Sequence, residues 1–78
     1  DWARKKEEQA KERKRQNDLK KVENEITKLE ARSSEIDERM TKEEVYTDVA
    51  ECTKLSREKA DLQEKIDALY EQWEALSE

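Results

Sequence analysis

The sequence predicts an all-α fold, an antiparallel two-helix coiled-coil hairpin with a short structured loop. Three observations support this prediction. First, the 78 residues are 50% charged and 32% apolar and include no Gly or Pro, so they can form long helices but only a small hydrophobic core. Second, two stretches repeat apolar residues at alternating intervals of three and four. Third, a segment without that repeat separates the two stretches, and the chain can turn back there.

A heptad repeat that starts at Leu19 predicts helix 1. Its apolar residues occupy the a and d positions of a heptad lettered a to g, which form the contact seam of a left-handed coiled coil. Helix 1 is expected to run to about residue 40. The seam residues of helix 1 are Leu19, Val22, Ile26, Leu29, Ser33, Ile36 and Met40.

The same spacing returns in the second half of the chain and predicts helix 2 over about residues 49–76. One member of this seam is Lys59, whose long side chain can carry its charge out to water or limit the registers that the helices adopt. Cys52, the only cysteine, is expected to be a small core residue and not a nucleophile. The seam residues of helix 2 are Cys52, Leu55, Lys59, Leu62, Ile66, Leu69, Trp73 and Leu76.

Residues 41–47 are expected to form the loop, a usual length between antiparallel neighbours in a bundle. Asp48, with Glu51 three residues later, resembles a capping box in which Asp48 accepts a hydrogen bond from the first turn of helix 2. Val45 and Tyr46 are expected to fold back and cover the end of the seam, with the Tyr46 hydroxyl left in water.

One continuous helix is the alternative to a hairpin. The twelve residues from Met40 to Cys52 do not fill whole heptads, so a straight rod would need a stutter in its repeat. The hairpin is favoured because it needs no such interruption. A hairpin that closes its seam within one chain is expected to be monomeric.

Two registers of helix pairing are open. In the first, Leu19 lies opposite Leu76, and every layer of the seam holds at least one apolar side chain. In the second, shifted by one heptad, three ion pairs form across the seam. Burying a large apolar side chain contributes roughly 1.5–3 kcal/mol and an exposed ion pair roughly 0–1 kcal/mol, which favours the first register. The three ion pairs are Glu25–Lys65, Arg32–Glu58 and Arg39–Glu51.

Charge is divided unevenly along the chain. Residues 1–21 hold nine basic and five acidic residues, whereas residues 22–78 hold eight basic and seventeen acidic ones. We expect residues 1–16 to form a basic helical lead-in that precedes the two-helix domain of residues 17–78. Basic side chains in heptad columns b and c face away from the seam in a ridge about 20 Å long, which can contact several phosphates. The predicted nucleic-acid-binding residues are Lys11, Arg13, Lys14, Arg15, Lys20, Lys21 and Lys28.

Two other functions stay open at this point. The hairpin could dock on the rest of its parent protein or on a partner protein, or it could be part of a structural rod that forms parallel dimers. Enzyme chemistry and cofactor or metal binding are not expected, because the chain has no His, no Gly-rich phosphate loop and no metal-ligand spacing. No apolar run approaches the length of a membrane span. The chain begins at Asp1 without a Met, and we expect it to be a fragment of a longer protein.

Three segments resemble a known protein family. They are LKKVENEITKLEARSSEIDERM, VYTDVAECTKL and LQEKIDALYEQWEALSE, and they are similar to the C-terminal coiled-coil domain of Uup-like ABC-F ATP-binding proteins. The Tyr-x-Asp loop element of that domain is matched by Tyr46 and Asp48, and its Trp-Glu-x-Leu ending begins here at Trp73. The lead-in RKKEEQAKERKRQ resembles the basic linker after the second ATPase domain. The chain departs from the family at Lys42-Glu43-Glu44, where the family loop often has Asp-Pro.

The resemblance implies a cytoplasmic parent ATPase, with ATP and Mg²⁺ bound by domains outside this chain. It also implies work on the ribosome, in translation or in resistance to ribosome-targeting antibiotics, and DNA binding by some C-terminal domains. The expected partners are therefore DNA, ribosomal RNA or the ribosome, together with the parent ATPase domains and no membrane. Within this chain, the resemblance assigns Tyr46, Asp48 and Trp73 to the loop and seam.

Overall fold

The computed structural model describes all residues 1–78 and contains three helices, α1 (Trp2–Arg39), α2 (Glu43–Tyr46) and α3 (Val49–Ser77). The long helices α1 and α3 pack side by side in a rod of 67 × 15 × 14 Å. They run antiparallel, since Arg39 at the end of α1 contacts Glu51 at the start of α3. The predicted all-α hairpin is therefore confirmed. None of the three helices has both the length and the apolar composition that crossing a membrane requires.

α1 is one unbroken helix, and the basic lead-in is its first part. Asp1 caps the N-terminus, where its carboxylate accepts a hydrogen bond from the Ala3 N–H at 3.2 Å. No Gly or Pro interrupts the helix, which favours its continuation. Arg15 already lies beside Leu76, near the end of α3. The part of α1 before Arg15 therefore extends beyond α3.

The connection between the long helices differs from the expected loop, because it contains the one-turn helix α2. The N–H groups of Val45 and Tyr46 both donate to the Lys42 carbonyl, at 3.0 and 2.9 Å. Glu43 and Glu44 occupy the first turn of α2, where negative charge is favourable. A helical turn therefore forms where the chain has Lys42-Glu43-Glu44.

Asp48 caps the start of α3, as the capping-box pattern predicts. Its backbone is extended, with φ −101° and ψ 102°, and its carboxylate accepts a hydrogen bond from the Glu51 N–H at 3.1 Å. The reciprocal half of the box does not form. The Glu51 carboxylate instead accepts from Arg39 at 3.2 Å, and the Asp48 N–H donates to the Val45 carbonyl at 3.0 Å. The cap thus ties α3 to both α2 and α1.

The hydrophobic core is small and lies mainly near the bend. Ile36 and Leu55 are fully buried, with 0% and 1% of their surface exposed, and they form one cluster with Val45 and Leu62. Leu29 and Met40 pack against this cluster from α1. Toward the free ends of the helices the seam is less covered. The six buried residues of the chain are Ile26, Ile36, Val45, Leu55, Leu62 and Ile66.

Val45 alone covers the end of the seam. It is 7% exposed and belongs to the core cluster, whereas Tyr46 is 56% exposed. The expectation that Tyr46 also covers the seam is therefore wrong. The reason is that both residues lie in helix α2, where neighbouring side chains point about 100° apart, so only one of them can face the core.

The helices pair in the first of the two registers. The indole N–H of Trp73 donates to Glu23 at 3.1 Å, which places Trp73 at the level of Val22. The Tyr70 hydroxyl donates to Glu30 at 3.0 Å, seven residues further along α1. Both hydrogen bonds lie at the edge of the seam. They place the apolar residues of α1 and α3 opposite one another as the first register requires.

Ion pairs do not distinguish the registers. Arg32 pairs with Glu58 and Arg39 with Glu51, although these pairs were expected only in the second register. They form in the first register as well, because side chains at g positions flank the seam and reach across it. The third expected pair does not form, and its members Glu25 and Lys65 only line a common shallow groove.

Two polar side chains of the seam have partners. The side chain of Lys59 is 41% exposed and forms an ion pair with Asp37 on α1. Its ammonium group therefore lies at the edge of the helix pair and not inside the seam. The Cys52 thiol donates to the Val45 carbonyl at 3.1 Å. Cys52 therefore helps to hold α2 against α3, which is a structural role.

Arg32 makes the most extensive ion-pair network of the seam. Its guanidinium donates to Glu58 on α3 and to Glu35 on α1, both at 2.8 Å. The hydrogen bonds from Arg32 lower the pKa of the Glu58 carboxyl below its usual value. The carboxyl is thus more readily ionised in the folded chain than in the unfolded chain.

Acid should therefore weaken the hairpin partly through Glu58. A lowered pKa in the folded state stabilises the fold above the unfolded pKa, about 4.3 for Glu, and this stabilisation is lost as pH falls below that value. We expect the free energy of unfolding to fall between about pH 5 and pH 3, and to fall less in Glu58→Gln. Urea unfolding followed by circular dichroism measures both. Glu64→Gln, at a carboxylate without an ion pair, is the control. If both variants reduced the pH dependence of the unfolding free energy equally, the attribution of this dependence to Glu58 would be contradicted.

Candidate nucleic-acid interface

The seven predicted binding residues all lie on α1, but they do not form one surface. Six are exposed and Arg15 is half-buried. An α-helix turns about 100° per residue, so side chains close in sequence point in different directions. The hydrogen bonds and ion pairs of α1 separate the seven into two groups.

Lys11 and Lys14 are occupied by acidic neighbours on α1. The Lys11 ammonium lies 3.5 Å from Glu7, and the Lys14 ammonium lies 2.9 Å from Asp18. Both are i,i+4 pairs that support the helix. The bond from Lys14 lowers the pKa of the Asp18 carboxyl, which therefore stays charged and attenuates the field of Lys14.

Arg15 belongs to the contact between the long helices. Its guanidinium donates to Glu12 at 2.6 and 3.0 Å, and to the Leu76 carbonyl of α3 at 2.7 Å. That carbonyl is one of the last four in α3, which have no partner within the helix, and a cation is favourable at a helix C-terminus. Arg15 lies at a d position and faces α3, so it is not available to an outward surface.

Four of the predicted residues form no ion pair and lie outside the contact seam, although Lys21 also lines a shallow groove with Gln72, Ala75 and Leu76 of α3. The four are all exposed, and Lys6 continues the same direction toward the N-terminus, one heptad before Arg13. Side chains seven residues apart in a helix differ in direction by only about 20°. We call these five cations the outer basic face of α1. The outer basic face consists of Lys6, Arg13, Lys20, Lys21 and Lys28.

No acidic residue lies among these cations. From Trp2 to Ala31, every residue within about 60° of the centre of this face is basic, neutral or aromatic. The neutral residues include Asn17 and Asn24, whose amides can donate hydrogen bonds to phosphate oxygens. The first acid in this direction is Glu35, which pairs with Arg32. The outer basic face is therefore an uninterrupted positive strip on a chain of net charge −5.

The sequence prediction did not include Trp2 and Lys6. The Lys6 ammonium lies 5.1 Å from the centroid of the Trp2 ring, a cation–π contact. Trp2 is 76% exposed. Extending heptad column b backwards from Arg13 by seven residues leads to Lys6, so the place of Lys6 on this face could have been predicted from the sequence.

The predicted loop and seam residues lie away from the outer basic face. Tyr46 and Asp48 are at the bend, where Asp48 caps α3. Trp73 packs at the opposite end of the pair, 37% exposed, with its N–H bound to Glu23. These residues shape the hairpin and offer no cation to a nucleic acid.

Comparison with known proteins gives one match. A protein-family model described as the ABC transporter C-terminal domain matches residues 10–78. The matched segment includes all of α2 and α3 and most of α1. No curated protein and no solved structure matches the chain.

Proposed function

This chain belongs to the ABC transporter C-terminal domain family, and on that premise we propose that it is the non-catalytic C-terminal coiled-coil domain of a cytoplasmic ABC-F ATPase and binds nucleic acid. The observation that carries the proposal is the outer basic face. Its five cations form no ion pair, and no acid lies among them along almost thirty residues of α1. Such a strip suits a phosphate backbone.

Binding is electrostatic in this proposal. The cations of the outer basic face neutralise phosphates and release the counterions condensed on the nucleic acid. From Lys6 to Lys28 the strip spans about 33 Å at 1.5 Å per residue, which is long enough for several phosphates. The acidic remainder of the chain, with seventeen acids against eight basic residues in residues 22–78, repels nucleic acid. Contact is thereby favoured on the outer basic face of α1.

DNA and ribosomal RNA, free or in the ribosome, are the proposed targets. The outer basic face presents cations and amides but no arrangement that reads base edges in a groove, and phosphate contacts carry no sequence information. Affinity is accordingly weak and insensitive to sequence. The parent would bring ATP and Mg²⁺ in its own ATPase domains, and through the ribosome the domain would serve translation and antibiotic resistance.

A salt titration tests this function. We expect the chain to bind a labelled DNA duplex, a ribosomal RNA fragment and ribosomes at low salt, with affinity that falls steeply as salt rises. For the duplex, each neutralised phosphate adds about −0.9 to the slope of log affinity against log salt, so four or five contacts predict a slope of about −4. Absence of binding at low salt, or a slope near zero, would contradict the proposal.

A second candidate function is docking on protein, either the parent ATPase domains or a partner. The observation in its favour is the exposure of two apolar side chains at the bend, Tyr46 at 56% and Val49 at 80%. Glu43 and Glu44 lie in the same one-turn helix as Tyr46, so a protein partner would present a basic surface with an apolar pocket. Binding that persists at high salt and is lost in Tyr46→Ala would favour this function over nucleic-acid binding.

A further inference from the structure

We propose that Trp2 stacks on an unpaired base, so that the chain prefers single-stranded or looped nucleic acid to duplex. This inference rests on the proposed function and names the substrate class of the outer basic face. Bases inside a duplex are already stacked on their neighbours, and only an unpaired base can present its flat surface to an aromatic ring.

Trp2 continues the outer basic face at its N-terminal end. In an ideal helix Trp2 and Lys20 are five turns apart and point in the same direction, and Arg13 lies within about 20° of them. Trp2 is the most exposed aromatic residue of the chain, at 76%. A strand that follows the cations along α1 therefore reaches an indole ring at the end of the strip.

Lys6 and Trp2 form one unit that fits a nucleotide. The Lys6 ammonium lies 5.1 Å from the ring centroid and covers one face of the indole, which orders the side chain and leaves the other face open. A base can stack on the open face while its phosphate approaches Lys6 or Arg13. Aromatic stacking and neighbouring positive charge are the two elements of single-strand binding sites.

Trp73 lacks the features of such a site. It is only 37% exposed, and its N–H is bound to Glu23. Glu71 and Glu74 are close to it in sequence, and their charge opposes a phosphate. Trp73 is therefore the internal control for Trp2, since the chain has only these two Trp residues.

The test compares three probes of equal length: a 12-nucleotide single strand of mixed sequence, the same sugar-phosphate strand with abasic sites at every position, and the corresponding duplex. The abasic strand keeps every phosphate and loses only the stacking surface. The whole 78-residue chain is used, as wild type, Trp2→Leu, Trp2→Phe and Trp73→Phe. Affinities are measured at one low salt concentration, and Trp2 fluorescence is followed in the Trp73→Phe variant.

We expect the base-containing strand to bind roughly 5- to 150-fold more tightly than the abasic strand, the usual effect of one stacked base. Trp2→Leu should remove this difference without weakening binding to the abasic strand, whereas Trp2→Phe should retain most of it. Binding of the base-containing strand should quench Trp2 fluorescence in Trp73→Phe.

Failure of the inference is distinguishable from failure of the proposed function. If both single strands bind equally and Trp2→Leu changes neither affinity, the outer basic face binds phosphate but Trp2 does not stack, and the inference is overturned. If no probe binds at low salt, both the proposed function and the inference are overturned. Tighter binding of the duplex than of the base-containing strand would also overturn the inference.

Discussion

Reversing three charges of the outer basic face should nearly abolish nucleic-acid binding. In the triple variant K20E/K21E/K28E, we expect affinity for a DNA duplex at about 50 mM salt to fall about 100-fold or more. The slope of log affinity against log salt should become shallower by about 2.7. Three phosphate contacts are lost, and three carboxylates then repel the backbone. Fluorescence anisotropy across a salt series measures both quantities.

The matched control places the same charge change on α3. Lys54, Arg57 and Lys65 are exposed and form no ion pair, and K54E/R57E/K65E alters the net charge of the chain by the same amount. If position on the outer basic face matters, this control should lose far less affinity than the α1 variant. Equal losses would mean that net charge alone governs binding. Circular dichroism should show that both variants keep their helices.

Lys14 is omitted from the triple variant for a structural reason. Its ammonium is held by Asp18, so reversing it would break an i,i+4 pair and place two acids side by side on α1. Like charges at that spacing weaken a helix. A loss of binding in a Lys14→Glu variant could therefore come from the helix and not from the interface.

Most of the fold follows from local sequence patterns. Heptad spacing identified the two seams, and the Asp48–Glu51 spacing placed the start of α3 at Val49, where the structure has it. These features depend on residues within a few positions of one another. Helix propensity and capping act over the same distance, so the sequence contains what is needed to predict them.

The connection was harder to predict because it depends on three-dimensional packing. Val45 and Tyr46 are both apolar enough to cover the seam, and only the formation of α2 decides that Val45 is buried and Tyr46 exposed. The ion pairs were equally poor predictors of the helix register. Arg32 and Glu58 can meet in either register, so their complementarity predicts a contact but does not determine which apolar layers face each other.

The outer basic face was predicted only in part, because charge in a sequence does not tell which charges are already paired. Lys11 and Arg15 count as cations in any composition, yet Lys11 is paired with Glu7, and Arg15 binds Glu12 and the end of α3. Direction on the helix is the information that separates them from Lys20 and its neighbours. That direction can be read from the heptad once the seam is known, and the same reading leads back to Lys6.

Leu55→Ala should unfold much of the hairpin. Leu55 is 1% exposed and packs with Ile36, Val45 and Leu62, so its truncation removes buried apolar surface from both long helices and from α2. Buried Leu→Ala changes cost about 2–5 kcal/mol. Domains of this length have only about 4–12 kcal/mol of stability in total, and this one buries just six residues. We expect a lower midpoint of urea unfolding and reduced helicity at 25 °C by circular dichroism.

The control is Leu69→Ala, the same change at a half-buried seam position toward the free ends of the helices. Because Ala has a slightly higher helix propensity than Leu, neither substitution weakens α3 as an isolated helix, and any loss of helicity reports on packing between helices. Leu69→Ala should cost clearly less than Leu55→Ala, since the seam is less covered there. Equal costs would mean that stability is spread evenly along the seam. A larger cost for Leu55→Ala would show that stability is concentrated at the bend, where α2 closes the seam and both long helices pack on the same cluster.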